Sequence, residues 1–368
     1  MYQVYADGKL LHDDMLEDYR LTHATLDLEL GKSGSFEFTI YPNHPNFAAI
    51  EPIKTIVTVS KYSRQIYSGR VLNIQYGFYG EKQVSCEGEL AFLLDSILQP
   101  HQYSGSFSGY LSYVINQHNA YQDADKRFVA GRVTVGDFYP FTVTEAEYKN
   151  AYDLLTEHMI SQVDGYLHVR QEGGVRYLDL LSYTADISDI SGQIIEIGSN
   201  LLDIKRESNS AGMFSAIIPL GAKLQDSDAR LDIASVNNNV PYLVNETAKA
   251  LCGGLIYRVV VFDNITNATT LKTTGANYLA DHFAGESSIE ITAADLSGQD
   301  AEVDSFDIGR WVRVRHPYHF ADGEQMFLIK KQTIDLLNPA ANKIMIGEVK
   351  KGISDAVANI IGKGKISS

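Results

Sequence analysis

Cysteine is nearly absent from the 368 residues: only Cys86 and Cys252 occur, far apart, together with a single tryptophan. Two distant thiols exclude a disulfide framework and a structural zinc site built on cysteine. They fit a chain that folds in a reducing cytoplasm. Positive charge is also scarce, with 31 Lys and Arg against 46 Asp and Glu, a formal net charge of −15. That balance argues against a general nucleic-acid binder, whose phosphate contacts need clustered basic side chains. It suits a surface past which nucleic acid slides without sticking. No run approaches the roughly 18 consecutive apolar residues of a membrane-spanning helix. The start, Met1-Tyr2-Gln3-Val4-Tyr5, lacks the basic region and apolar core of a signal peptide.

What is present is the composition of a folded protein, 45% hydrophobic and 21% charged, with 22 tyrosines leading the aromatics. At roughly 150 residues per domain the length allows two or three domains. The first 90 residues read as short strands. Asp7-Gly8 separates Gln3–Ala6 from Lys9–His12 as a two-residue hairpin turn. Leu26, Leu28 and Leu30, then Phe36, Phe38 and Ile40, alternate with polar residues at period two. Further strands are predicted over 55–61, 65–74 and 82–86.

The pattern then changes. Leu90, Leu93, Leu94, Ile97 and Leu98 form one helical stripe, stopped by Pro100. A second helix is predicted over 109–119. A third opens at Thr144, which with Glu147 makes a capping box and carries Tyr148, Ala151, Tyr152 and Leu155 inward. A hairpin follows, 166–170 with 175–180. Strands return at 214–220, 255–262, 288–292, 311–315, 325–335 and 343–349, with one helix near 278–283. The end, with Ile353, Val357, Ile360 and Ile361 on one helical face, predicts a short amphipathic tail. The expected domains are 1–90, 91–205 and 206–350, with discontinuous boundaries allowed for, followed by a tail over 351–368. The expected class is α+β, mostly β, with strands as short as those of antiparallel barrels or sandwiches.

Each candidate for chemistry has a plainer explanation. Gly31-Lys32-Ser33 resembles the end of a phosphate-binding loop, but position 26 is Leu26 and the segment leads into a strand. His316 and His319 could chelate a metal, yet no third ligand stands in register. Asp295, Asp300, Glu302, Asp304 and Asp307 are acidic enough for calcium but lack the spacing of a calcium loop. Glu145 and Glu147 could be paired glycosidase carboxylates; a helix cap explains them better. Glu87 and Glu89 sit at a strand-to-helix transition and carry the same caution. Cys86 and Cys252 lack a nucleophile signature, no GxSxG surrounds a serine, and His158 beside Met159 reads as a core histidine. No residue is assigned a catalytic, cofactor-binding or metal-binding role, and no cofactor is expected.

A resemblance lies in the scaffold. Asp7-Gly8-Lys9-Leu10-Leu11, the stretch Leu30-Gly31-Lys32-Ser33-Gly34-Ser35-Phe36-Glu37-Phe38, Ser68-Gly69-Arg70-Val71-Leu72 and Val84-Ser85-Cys86-Glu87-Gly88-Glu89-Leu90 resemble the N-terminal region of phage minor tail proteins. So do Ile217-Ile218-Pro219-Leu220-Gly221-Ala222 and Ile308-Gly309-Arg310-Trp311-Val312. The family is the prophage endopeptidase tail group, the N-terminal part of tail-associated lysins, and the resemblance covers roughly residues 1–350. It implies a fold similar to baseplate hubs: two tail-tube-like antiparallel β-barrels with a mixed α+β insertion. It also implies a homotrimeric ring that adapts six-fold tube symmetry to a three-fold tail tip. The implied partners are the distal tail protein, the tape measure protein, and a cell-wall hydrolase or receptor-binding proteins. DNA would pass through the channel without specific binding, along acidic walls that repel phosphate. No membrane anchor is expected, and the location would be the tail tip or baseplate of the virion. A chain of this kind stops before any hydrolase module, or is a fragment of a longer one. The second reading is a tail-associated peptidoglycan endopeptidase.

Overall fold

The computed structural model describes residues 2–350 except 63, 138, 184–188, 210–211, 225–227, 264, 284–285, 299–303, 321–322 and 339–341. The amphipathic tail read from the sequence therefore lies outside the described residues. Seven strands precede residue 90: β1 (Tyr2–Ala6), β2 (Lys9–Asp13), β3 (His23–Glu29), β4 (Ser35–Ile40), β5 (Ile56–Lys61), β6 (Arg64–Tyr76) and β7 (Lys82–Gly88). Between β1 and β2, Asp7 and Gly8 take φ of +46° and +76°, the two left-handed positions that a type I′ turn requires. The Asp7 carboxylate then accepts the Ile56 N–H at 2.9 Å and fastens the turn to β5. Period-two alternation puts Leu26, Phe36, Phe38, Ile40, Val57, Val59 and Val84 on one face, each at most 2% exposed. Burying each such side chain contributes roughly 1.5–3 kcal/mol.

Two features shape this sheet. Gly69 and Gly88 stand directly opposite each other in β6 and β7, and the Tyr67 ring fills the space beside them. A Cβ on Gly69 would lie 2.4 Å from the Tyr67 hydroxyl and 2.2 Å from the Glu87 carbonyl oxygen. At the outer edge, the β2 carbonyls of Leu10 and Leu11 are not left open. Asn46 Nδ2 donates to the first at 2.8 Å and His44 Nε2 to the second at 2.9 Å. The loop supplying these caps is held by Lys82, whose ammonium donates to the carbonyls of Phe47 and Ile50 at 2.9 and 3.0 Å.

The mixed segment contains β8 (Ile97–Leu98), β9 (His101–Gly105), α1 (Phe107–Ala120), β10 (Val129–Val133), β11 (Phe141–Glu145), β12 (Lys149–Asn150), α2 (Ala151–His158), β13 (Gly165–Glu172) and β14 (Val175–Ser182). In α1, Ser106 caps the N-terminus by accepting the Gly109 N–H, and Tyr110, Leu111, Val114 and Ile115 are buried. His118 is fully buried on the same helix, with Ser96 Oγ at Nδ1 (2.7 Å) and the Lys126 carbonyl accepting from Nε2 (3.2 Å). Two predictions from sequence are corrected here. Residues 89–95 form a 3₁₀ helix followed by β8, not an α-helix over 90–98, and Leu94 and Ile97 are exposed. Phe92 is buried instead, under the guanidinium groups of Arg70 and Arg176. Thr144 caps no helix: it lies in β11, paired with Gln102, and Tyr148 is exposed. The α2 helix starts later, where Asn150 accepts the Asp153 N–H at 2.8 Å.

Beyond β15 (Ile190–Glu196) and β16 (Leu201–Asn209) come β17 (Ala216–Leu220), β18 (Leu243–Val244), α3 (Glu246–Cys252), β19 (Tyr257–Val261), α4 (Ala268–His282) and β20 (Glu286–Ala294). The strands β18, β17 and β19 form a small sheet in that order, and β17 pairs with β19 in parallel. Its core is Phe214, Ile217, Ala248, Leu279 and Phe283. The remaining strands are β21 (Trp311–Arg315), β22 (Glu324–Leu328), β23 (Lys331–Asp335) and β24 (Lys343–Lys350).

The chain divides into two units, one holding Met1–Leu202, Thr292–Val314 and Met326–Ile346, the other Asp203–Ile291 and Arg315–Gln325 among its parts. The block expected at 206–350 is thus shared between the two, because β23 pairs with β3 of the first sheet. Within the first unit the strands run β24-β23-β3-β4-β7-β6-β5-β1-β2, a curled half-barrel. The architecture is mostly β with few helices.

The Gly69 geometry yields a test. Gly69→Ala should lower the stability by about 1–3 kcal/mol through overpacking against backbone and Tyr67, read as a lower denaturation midpoint. An unchanged midpoint would contradict the close approach described.

Candidate functional site

The carboxylate proposed from sequence at Glu145 ends β11 and is 7% exposed. Its Oε1 accepts the Glu147 N–H at 2.9 Å. Its Oε2 receives Lys149 Nζ and His158 Nε2, each at 3.1 Å. Lys149 reaches Glu157 as well. The ligand atoms of Glu145, Glu157 and His158 lie within 4.8 Å of one another, the one such group of three among the described residues. The place a metal ion would take is filled by the Lys149 ammonium, so the cluster is already neutralised from within. Burial alone would raise the Glu145 pKa; hydrogen bonds from Glu147, His158 and Lys149 outweigh it and bring the value down to about 2. A general acid at neutral pH needs the opposite shift. Glu147 is exposed and contributes only its backbone. The two residues are not a catalytic pair, and the missed partner is Lys149.

Glu87 and Glu89 are likewise consumed by cations that sequence spacing did not reveal. Arg70, 8% exposed, holds Glu87 at 2.6 Å and also grips Asp95, which Lys126 joins at 2.9 Å. Glu89 Oε1 accepts from Ser68 Oγ at 2.9 Å, Gln171 Nε2 at 2.6 Å and Arg176 Nη2 at 2.7 Å. This carboxylate lines a cavity of about 390 Å³ in the first unit, with the turn at Gly31–Gly34, Tyr67, His168 and Arg170 around it. The Tyr67 hydroxyl has no hydrogen-bond partner among the described residues, and burial holds its pKa well above the usual value. Burial lowers that of His168. The cavity lining thus mixes neutral polar groups with charged ones, among them Glu89, Arg64, Arg170 and Asp307, and the Glu89 carboxylate is saturated by its three donors.

The remaining candidates resolve in the same way. Gly31 sits at φ +77° in the turn between β3 and β4, and Lys32 pairs with Glu29 at 2.7 Å on the surface. His316 and His319 lie in the turn after β21 with ring centroids 4.3 Å apart. His316 Nδ1 accepts the Tyr318 N–H at 3.3 Å, and no third ligand joins them among the described residues. Of the acidic stretch, Asp300 and Glu302 lie outside the described residues. Asp295 is buried, accepts from Gln193 and the Ser297 N–H, and faces Lys61 at 3.8 Å. Asp304 accepts the Gly192 N–H at 2.9 Å and pairs with Arg310 at 3.0 Å, while Asp307 pairs with Arg64 at 2.9 Å. Each of the three described carboxylates thus faces a lysine or arginine. Cys86 is buried, which pushes its thiol pKa far up, and Cys252 is half-buried at the end of α3. No described helix is long and apolar enough to cross a membrane.

The Glu145 cluster has a pH signature. A carboxylate depressed from 4.5 to about 2 in the folded state adds stability that is present above about pH 4.5 and is lost as pH falls towards 2. Glu145→Gln should cost about 1–3 kcal/mol at pH 7 and flatten the stability profile between those pH values. A parallel profile for the variant would place the acid sensitivity elsewhere.

Comparisons with known proteins bear on the fold. Residues 188–357 match the model of the family described as prophage endopeptidase tail. No curated protein matches the sequence. Among solved structures, the chain is similar to the 43 kDa tail protein of prophage MuSo2 from Shewanella oneidensis, at a TM-score of 0.62 and 14% identity, covering 94% of this chain and 97% of that one. A tail protein from Neisseria meningitidis MC58 gives 0.61 and 14%, covering 94% and 96%. Prophage tail protein gp18 from Listeria monocytogenes EGD-e gives 0.55 and 10%, covering 98% of each chain. The chain thus has a fold similar to these prophage tail proteins along nearly its whole length, and its residues 188–357 match the model of the prophage endopeptidase tail family.

Proposed function

We propose that this tail protein is a structural hub at the tip or baseplate of a phage or prophage tail. The observation that carries the reading is the fold shared over 94–98% of the chain with prophage tail proteins. In the proposed hub, three copies form a ring that continues the tail tube and adapts its six-fold symmetry to three-fold. Each chain contributes two tube-like β walls, one of them the curled sheet of β1–β7 with β23 and β24. The ring meets the distal tail protein on one side and the tape measure protein in its channel, and carries a hydrolase or receptor-binding proteins. Three copies would bring three times −15 formal charges, and acidic side chains on the channel wall would repel DNA phosphates during passage. Charged residues that are bound to one another, such as Glu145 with Lys149 and Glu89 with Arg176, support a scaffold rather than a catalyst.

The second reading, a peptidoglycan endopeptidase, is favoured only by the description of the matched family. Two measurements on the full chain separate the readings. Light scattering across a dilution series should give three times 40.8 kDa, or a whole multiple of that mass. A mass of one chain at every concentration contradicts the ring. Release of soluble fragments from purified peptidoglycan by the protein alone would promote the enzyme; the hub reading expects none above a buffer control.

A further inference from the structure

Two buried histidines guard the outer edge of the first sheet. The last strand there is β2; His12 on it is 2% exposed, and His44 in the loop that covers it is 6% exposed. Each ring is held at both nitrogens. His44 Nδ1 accepts the Asn46 N–H at 3.0 Å, and its Nε2 donates to the Leu11 carbonyl at 2.9 Å. His12 Nδ1 accepts the Leu21 N–H at 3.4 Å, and its Nε2 donates to Asp14 Oδ1 at 3.0 Å. An imidazole that accepts at one nitrogen and donates from the other is neutral. Both rings are thereby committed to the uncharged form with the proton on Nε2.

The surroundings decide what an added proton meets. Burial is the largest influence on His12 and lowers its pKa; Asp14 and Asp13 favour the charged ring without reversing this, and Arg20 opposes it. Burial lowers the pKa of His44 as well, with the nearby His12 adding to the effect and the Leu11 carbonyl opposing it. The Tyr19 ring stands edge-on to His44 at 5.7 Å and brings no charge that would neutralise it. The far end of the loop is tethered separately. Lys82 of β7 donates to the carbonyls of Phe47 and Ile50, and Thr55 Oγ1 donates to that of Ala49 at 3.1 Å. This tether makes no use of either imidazole.

We propose that His12 and His44 form an acid-released clasp on the β2 edge. A proton on His44 Nδ1 displaces the Asn46 N–H, and with it the turn that aims Asn46 Nδ2 at the Leu10 carbonyl. The cation left behind, buried against His12 with one carbonyl for a partner, is better solvated in water. A proton on His12 Nδ1 displaces the Leu21 N–H and sets a second like charge beside the first. Residues 44–46 then swing outward while Lys82 and Thr55 hold 47–50, and the Leu10 and Leu11 carbonyls are uncovered with the sheet intact. Sheet edges are ordinarily blunted by permanent features such as lysine, proline or a bulge; this cover holds while two imidazoles stay neutral. The native rings resist protonation and the released rings do not. The clasp is therefore at full strength above about pH 6.5 and weakens as pH falls below it. Glu145 acts in a lower window, between about 4.5 and 2, so the two effects separate along the pH axis.

The test is hydrogen exchange, read by mass spectrometry, on the 368-residue chain at about pH 7.5 and about pH 5. These lie on either side of the ordinary histidine value of about 6.5, and labelling times are scaled for the intrinsic rate at each. Protection over residues 10–21 and 42–47 should fall by up to about tenfold per pH unit for each ring that charges. Strands β4 and β7 should keep theirs. In the double variant His12→Gln/His44→Gln the amides still donate and accept but do not titrate, and the same segments should be equally protected at both pH values. Equal protection of the parent chain at both, a loss spread evenly over the first sheet, or a pH response that persists in the folded double variant would overturn the proposal. A second measurement needs no variant. Nitrogen-15 spectra of the histidine-labelled parent chain should show both rings as the neutral Nε2–H form at about pH 7.5. A ring already charged there, or one that charges on acidification while residues 10–21 and 42–47 stay protected, contradicts the clasp.

Discussion

Pairing of β3 with β23 joins Thr25 to Asp335 and Glu29 to Lys331, and the remaining architecture is arranged around that closure. Bringing together residues some three hundred positions apart costs loop entropy of about 5 kcal/mol beyond a constant. It is offset by burial: Ile334 and Leu336 enter the same core as Leu26, Phe36 and Val59. Side chains reinforce the seam, with Thr333 Oγ1 donating to Asp27. Backbone bonds from Leu30 to Lys330 and from Leu336 to Ala24 extend it at both ends. Once this seam is made, the mixed segment and the second unit are insertions between two strands of one sheet.

Electrostatics follow the same logic of internal satisfaction. Arg70 unites Glu87 and Asp95 over the Phe92 ring, and Lys149 unites Glu145 and Glu157. A catalytic site keeps at least one group poised near the working pH. Here the Glu145 carboxylate is driven down and the Cys86 thiol up. These are the shifts of groups locked in one protonation state. The unspent negative charge of the chain is left to the surface, where it acts on solubility.

Much of the first sheet was legible in the sequence, because period-two alternation at Leu26, Phe36, Phe38 and Ile40 and the Asp7-Gly8 turn are local signals. Helix α1 was legible for the same reason. The errors came where distant partners override local pattern. The apolar residues from Leu90 to Leu98 suggested a helical stripe, but Arg70 and Arg176 draw Phe92 inward and the turn tightens to 3₁₀. Thr144 and Glu147 matched a cap, but β9 claims Thr144 as a strand residue. Helix α4 was seen only in its last third, since Thr269, Thr270, Thr273 and Gly275 weaken the helical signal; Gly275 is there because Pro219 approaches it closely. The ion pairs of Glu87 with Arg70 and of Glu89 with Arg176 span 17 and 87 positions in the chain, and no spacing rule announces them.

The central claim is that this fold serves as a ring-forming structural element of a phage tail. It is tested most directly by electron microscopy of the purified 368-residue chain. The account predicts class averages with three-fold symmetry about an axial channel or its plug. Particles that remain single chains with no three-fold view, at concentrations where the protein is saturated with itself, would contradict it.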